Sequence, residues 1–325
     1  MRTAFFKTLL EEAEKNDRVT LIVGDLGFGV VESFAKKLPN QFLNSGVAEQ
    51  NMTGIAAGMA LSGKIAFTYS IGNFPIIRCL EQIRNDVCYH KANVKVVAVG
   101  GGFVYGSLGM THHATEDLAI LRALPNMTVV APGDPVETAA ATKAIIETPG
   151  PCYLRLGRAG EPVVHTAPIH FQLGRALTLR DGADITLITT GGLLKTTVGV
   201  SEKLESAGIH ARVLSMHTVK PLDADAVLAA ARETAAIAVI EEHSILGGLG
   251  GAVAEVLAES EVRVPFKRLG LPSAFSSIVG DQEYLRAAFG LSEEKLLAAI
   301  QTFLSSRNPS RNGKIGASAG AQSAR

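Results

Sequence analysis

Along this chain, short apolar runs alternate with longer stretches in which apolar residues recur every three or four positions. The runs at 20–24 (TLIVG), 42–44, 65–70 (IAFTYS), 94–99 (VKVVAV), 127–131 and 152–156 read as strands. Helices are expected between them through 76–89, 116–123 and 136–147. Residues 160–182 break the rhythm with prolines and no long helix. It then resumes, with strands at 184–190, 211–216, 236–241 and 264–269 and helices at 191–208, 224–232, 252–259 and 293–304. Strand and helix in alternation is the pattern of parallel sheets covered by helices. The fold class expected is therefore α/β, with two consecutive parallel-sheet domains. These span residues 1–165 and 183–305, joined by a linker at 166–182, and the Ser/Gly/Ala/Arg-rich stretch 306–325 is expected to be a disordered tail.

Composition narrows the classes. With 47% hydrophobic and 19% charged residues, 325 residues can bury two sizeable cores. Lys+Arg and Asp+Glu balance at 31 each, which gives no electrostatic reason to expect a nucleic-acid or anionic-membrane partner. Cys79, Cys88 and Cys152 make neither a metal nor a disulfide framework and read as buried thiols. No apolar run approaches the ~20 residues that span a bilayer. The first twenty residues have helical periodicity with acids in the middle, unlike a signal peptide, so a cytoplasmic location is expected.

One stretch stands out, FLNSGVAEQNMTGIAAGMALSG at 42–63. It reads as a short strand, a glycine turn and a helix of small and apolar residues, with Glu49 in the first turn. A buried carboxylate is costly unless paired or protonated. Locally, Glu49 could simply complement the helix dipole. Gly54 and Gly58, one turn apart among alanines, would let another backbone come close.

The wider wording GVAEQNM…GIAAGMAL resembles the pyrimidine-binding domain of transketolase-family, thiamin-diphosphate-dependent enzymes. That resemblance implies that Glu49 hydrogen-bonds the cofactor's aminopyrimidine ring and drives the tautomerisation that yields the nucleophilic ylid, the protein supplying orientation and electrostatics. Such a carboxyl must share or hold a proton, which apolar burial favours. VGDLGFGV at 23–30 resembles the family's strand-end segment, implying that Asp25 and Leu26 lie near the thiazolium. YSIGNFPIIRCLEQIRND at 69–86 resembles the segment whose aromatic ring stacks on the aminopyrimidine, with Phe74 the candidate; standing alone, Phe74 reads as core. In YGSLGMTHHATEDLAILRALPNM at 105–127, His112 takes the place of the substrate-facing histidine, with His113 beside it. An imidazole there could donate to a substrate carbonyl and shuttle protons. PGPCYLRLGRAGE at 149–161 resembles the exit of the domain's last strand, where Arg158 corresponds to an arginine that binds substrate phosphate. Otherwise Arg155 and Arg158 are surface charges at a strand end. His217 and His243 are expected to be structural or at an interface.

Departures matter as much. Where transketolases carry an EDGPTH-like run this chain has GSLGMTH, and Leu108 stands in place of an aspartate. The family holds the cofactor diphosphate through Mg²⁺ and a GDG segment with a later asparagine; the chain has GDL at Gly24 and GDP at Gly133 instead. The resemblance covers about residues 1–305 and implies half of a split transketolase, active only with a second subunit that carries the diphosphate domain and its Mg²⁺ ligands, most naturally as an α2β2 heterotetramer. Its reaction would move a two-carbon ketol unit from a ketose donor to an aldehyde. The alternatives are a 2-oxoacid dehydrogenase β subunit, a deoxyxylulose-phosphate-synthase-like enzyme, and a non-catalytic scaffold.

Overall fold

A computed structural model describes residues 1–306. Residues 307–325, most of the expected tail, lie outside the described residues. Among the described residues there are twelve strands: β1 Val19–Val23, β2 Phe42–Asn44, β3 Ile65–Ile71, β4 Val94–Val99, β5 Thr128–Val130, β6 Cys152–Leu156, β7 Leu177–Arg180, β8 Ile185–Thr189, β9 Ala211–Ser215, β10 Thr218–Lys220, β11 Ile237–Ser244 and β12 Phe266–Leu271. They form a seven-stranded sheet in the order β10-β5-β6-β4-β3-β1-β2 and a five-stranded sheet in the order β12-β11-β8-β9-β7. Every pairing among them is parallel except β10 on β5 and β7 on β9. Both sheets are thus the parallel-dominated α/β layers that the alternation predicts.

The first sheet is buried on both faces, which explains its continuous apolar strands. Successive side chains of a strand point to opposite faces. Ile22, Val94 and Val96 face a cluster that also holds Met52, Ala56 and Ala57 of the helix Glu49–Leu61. Leu21, Val23, Phe67 and Tyr69 face the other side, against Phe5 and Leu9 of the helix Arg2–Ala13 and Ala141 and Ile145 of the helix Pro135–Glu147. The small-residue helix lies directly on the sheet, and alanines are what let it approach.

Three features differ from the sequence expectations. The segment 166–182 is not a plain connector: β7, within it, pairs antiparallel with β9. Four residues of alternation are too few to register as a strand in the sequence. Second, β10 leaves the second unit and completes the first sheet, Thr218 opposite Val130. Third, the helix expected over 76–89 begins only at Leu80 and continues as a π-helix over Ile83–Tyr89. The preceding residues run instead in tight turns, with Ile76 and Ile77 donating back to Asn73 O and Cys79 to Ile76 O.

The two sheets are locked together by buried charge. Arg155 is not a surface residue: its guanidinium bonds the Asp117 carboxylate at 2.7 Å and the backbone carbonyls of Ala114 and Glu242. Tyr153 donates to the same Asp117 at 2.5 Å. Glu242 then accepts from Phe103 N at 2.8 Å, from Gln282 at 3.1 Å and from Arg286 at 2.6 Å. Gly102 faces this carboxylate with φ +66°, and a Cβ there would fall 2.5 Å from the Glu242 carboxyl carbon. His217 and His243 are both fully buried, in line with structural roles. Among the described residues no helix is long and apolar enough to cross a membrane.

Two measurements probe this junction. Glu242→Ala removes the buried carboxylate from Arg286, leaving only the largely exposed Glu283 on its guanidinium, and should cost about 3 kcal/mol in denaturant unfolding, against near zero for an exposed control pair such as Lys203 with Glu294. Glu241 is buried beneath Leu249 N and Gly250 N, and burial raises its carboxyl from 4.5 to about 7 despite those donors. Because the folded state binds this proton more tightly, Glu241 contributes stability at low pH that is lost as pH rises from about 4.5 to about 7. Glu241→Gln should remove that part of the slope, read as the wild-type minus variant difference in unfolding free energy across the window.

Candidate functional site

The candidate residues come from segments that leave the carboxyl ends of β1, β2, β3, β4 and β6, the edge at which open parallel sheets bind ligands. After β1, Asp25 sits at φ +55° and is exposed. Asn44, at the end of β2, holds it there. Its side-chain oxygen accepts from Asp25 N and from Gly46 N, each at 3.0 Å, and its amide donates to Asp25 Oδ1 at 2.9 Å. Leu26 is half-buried and packs on the core of the opposite face, with Tyr69 and Val23.

Glu49 opens its helix and is only 1% exposed. Its surroundings are less apolar than the sequence suggests. One carboxylate oxygen accepts from Arg78 Nη1 at 2.7 Å, and the other lies 3.5 Å from the Ser70 hydroxyl. Arg78 itself is half-exposed, and its guanidinium lies over the Phe74 ring, 4.8 Å from the centroid. The edge-on imidazole of His112 meets the same ring, with centroids 5.2 Å apart. Phe74 therefore stands between the two: Arg78, bonded to Glu49, lies over its ring, and His112 meets the same ring. Cys79, next in the chain, is buried, and burial raises its thiol above the ordinary range, with the nearby Glu49 carboxylate adding to the effect.

The two histidines diverge. His112 is half-exposed, its Nδ1 3.0 Å from the Thr111 hydroxyl. His113 is buried, with Nε2 3.2 Å from Gly106 O and its ring edge-on to Phe103 at 5.0 Å. Asn73 Nδ2 bonds the His113 carbonyl at 2.5 Å, tying the segment after β3 to the one after β4. A cavity of about 720 Å³ opens here, between Phe74, Arg78 and His113 on one side and the loop Pro272–Ser276 of the second unit on the other. Arg158 does not line it: the residue is exposed at the exit of β6, where its backbone is fixed by Glu161 and Met1. Among the described residues no group of three or more His, Cys, Asp or Glu side chains converges to hold a metal ion.

Sequence reasoning missed Asn44, Ser70, Asn73 and Arg78. Asn44 carried a signal, since an asparagine at a strand end followed by Ser-Gly is a common way to fix a turn. Arg78 carried none, because only the turns at 73–79 bring it back over Glu49.

Residues 1–161 match the transketolase pyrimidine binding domain and residues 174–296 the transketolase C-terminal domain. The chain is 39% identical over 305 residues to an apulose-4-phosphate transketolase subunit of Phocaeicola vulgatus, covering 93% of this chain and 97% of that protein. It is 38% identical over 309 residues to a 6-deoxy-6-sulfo-D-fructose transketolase subunit of a Clostridium strain, covering 95% of each. Among solved structures, a split-gene transketolase described as an inactive β4 tetramer superposes with TM-score 0.85 at 40% identity, over 94% of this chain and 97% of that one. A 1-deoxy-D-xylulose-5-phosphate synthase of Geobacter sulfurreducens is 35% identical over 93% of this chain but only 48% of its own length. The chain belongs to the transketolase family, comprising its pyrimidine-binding and C-terminal domains.

Removing the Asn44 side chain should loosen the turn that presents Asp25. In Asn44→Ala the Asp25 and Gly46 amides should exchange with solvent about tenfold faster, read by hydrogen-exchange NMR or mass spectrometry, while the β4 amides stay unchanged.

Proposed function

We propose that this chain is one subunit of a split, thiamin-diphosphate-dependent transketolase that moves a two-carbon ketol unit from a ketose to an aldehyde acceptor. The observation that carries the reading is the Glu49 carboxylate, buried at the sheet edge and reached beside the Phe74 ring. The slot there already admits a planar group that donates an N–H to Glu49 while lying over Phe74, as the Arg78 guanidinium does. An aminopyrimidine meets these requirements once one proton is shared between its ring nitrogen and Glu49, so the residues present fit that half of the cofactor. They do not fit a diphosphate–Mg²⁺ group, whose ligands are assigned to a second subunit within an α2β2 assembly in the cytoplasm.

Thiamin diphosphate, when bound, supplies the carbon nucleophile for carbon–carbon cleavage and formation. This chain's residues provide one side of the site. Glu49 holds or accepts a proton at its buried oxygens, where water cannot compete. Phe74 would give a flat apolar face. Asp25 and Leu26, on the turn after β1, are assigned to the cofactor's second ring, Asp25 exposed and Leu26 half-buried. His112 presents a half-exposed imidazole that can donate to a substrate carbonyl. His113 positions that loop through Gly106 and Asn73 and is less available to substrate than expected. Exposed Arg158 offers a fork for an anionic sugar terminus. Relatives named for a sugar phosphate and a sulfo-sugar support substrates with such a terminus. Leu108, 55% exposed where an acid is usual in the family, favours a sugar other than the common pentose phosphates.

A deoxyxylulose-phosphate-synthase-like reaction is the second reading, favoured by the Geobacter relative; it releases CO₂ from a 2-oxoacid, which ketol transfer does not. Glu49→Gln should lower turnover of the assembled enzyme by about 10²–10⁴-fold without changing its thermal unfolding by more than a few degrees. A full-activity Glu49→Gln enzyme, or Mg²⁺-dependent turnover with this chain alone, contradicts the proposal.

A further inference from the structure

Arg78 occupies the space in which Glu49 and Phe74 would together receive a ring. Its Nη1 is 2.7 Å from Glu49 Oε2, and its guanidinium carbon is 4.8 Å from the Phe74 centroid. A ligand that hydrogen-bonds Glu49 and stacks on Phe74 must displace it. We infer that Arg78 is an internal competitor, a latch that fills the aminopyrimidine slot of the empty chain and is released when the cofactor binds. The inference rests on the reading of Glu49 and Phe74 as the aminopyrimidine site.

Three observations make a latch of this contact rather than a fixed ion pair. The partners are unequally buried: the Glu49 side chain is 1% exposed and that of Arg78 48%. Glu49 therefore needs a donor at all times, since an unpaired buried carboxylate is costly, whereas Arg78 can return to water cheaply. The contact is also sparse. Among the described residues the only hydrogen bond from the Arg78 side chain goes to Glu49, in contrast to Arg155 and Arg286, each held by several acceptors. Finally, the side chain has somewhere to go. It lines the 720 Å³ cavity together with Glu116, a second carboxylate that could receive it. Closed, the latch satisfies Glu49 and covers the Phe74 face; open, it leaves both to the ligand.

A competitor of this kind weakens apparent affinity by the fraction of molecules in which the slot is open. The test uses the full chain with two small probes, 4-amino-2-methylpyrimidine and methylguanidinium, so it needs no turnover and no second subunit. In Arg78→Gly the aminopyrimidine should bind about tenfold or more tighter than in wild type, measured by ligand-observed NMR, and methylguanidinium should compete with it for the slot. Methylguanidinium should also restore the thermal stability the variant loses. Arg78→Met, which keeps the aliphatic stem, should show the same gain in aminopyrimidine binding and serves if the glycine variant does not fold. Equal aminopyrimidine affinity in wild type and both variants overturns the latch. Weaker binding in the variants also overturns it and makes Arg78 a residue that positions the ligand. If methylguanidinium restores stability but the aminopyrimidine binds neither wild type nor variant, the ion pair stands and the assignment of Glu49 and Phe74 to the cofactor is what fails. In that case Glu49→Gln would leave thiamin diphosphate affinity unchanged as well.

Discussion

The geometry of the whole edge depends on one buried carboxylate, Glu242. It lies on β11, in the second sheet, yet it takes the backbone N–H of Phe103 from the first. That single bond sets the start of the loop after β4. Gly102 in turn exchanges backbone bonds with Ala114, closing the loop at its far end. Phe103 packs on His113, and the His113 carbonyl is held by Asn73, one residue before Phe74. The position of the aromatic face beside Glu49 is thus traceable, bond by bond, to an anion in the other half of the molecule. Arg286 and Gln282 neutralise and orient that anion, and this is why a charge can be tolerated there at all.

Burial of charge is handled differently at the two carboxylates. Glu242 is enclosed with its cation and takes its donors from within the fold, which suits a joint. Glu49 is enclosed while its cation remains half in water. Such an arrangement keeps the acid solvated by a movable donor and leaves it open to exchange of partners. The two ion pairs differ in which partner is exposed: both are enclosed at Glu242, and the cation alone is half in water at Glu49.

Much of this is legible in the chain. Sheet strands buried on both faces are written as continuous apolar runs, so β1, β3, β4 and β8 can be read directly, and the family wording around Glu49, Phe74 and His112 picks out three side chains that the fold does gather. What escapes depends on contacts between distant segments. β7 and β10 are short edge pieces whose identity comes from the strand they meet. Arg155 looks like any charge at a strand end until Asp117 arrives from 38 residues away. Arg78 reads as a helix surface residue because the turns of 73–79, which fold it back, have no periodic signature.

β10 carries a consequence of its own. Three residues, Thr218–Lys220, leave the second sheet's neighbourhood to pair with β5 at the border of the first. A fragment cut in the 166–182 region would therefore carry an intact set of parallel strands and still lack its outer rim. The N–H and C=O groups of β5 along that side would face solvent as an open template for another chain. The two halves are separate in their cores but stitched at the rim, so the piece that looks like a free-standing domain in the sequence is, in the folded protein, a sheet finished by its neighbour.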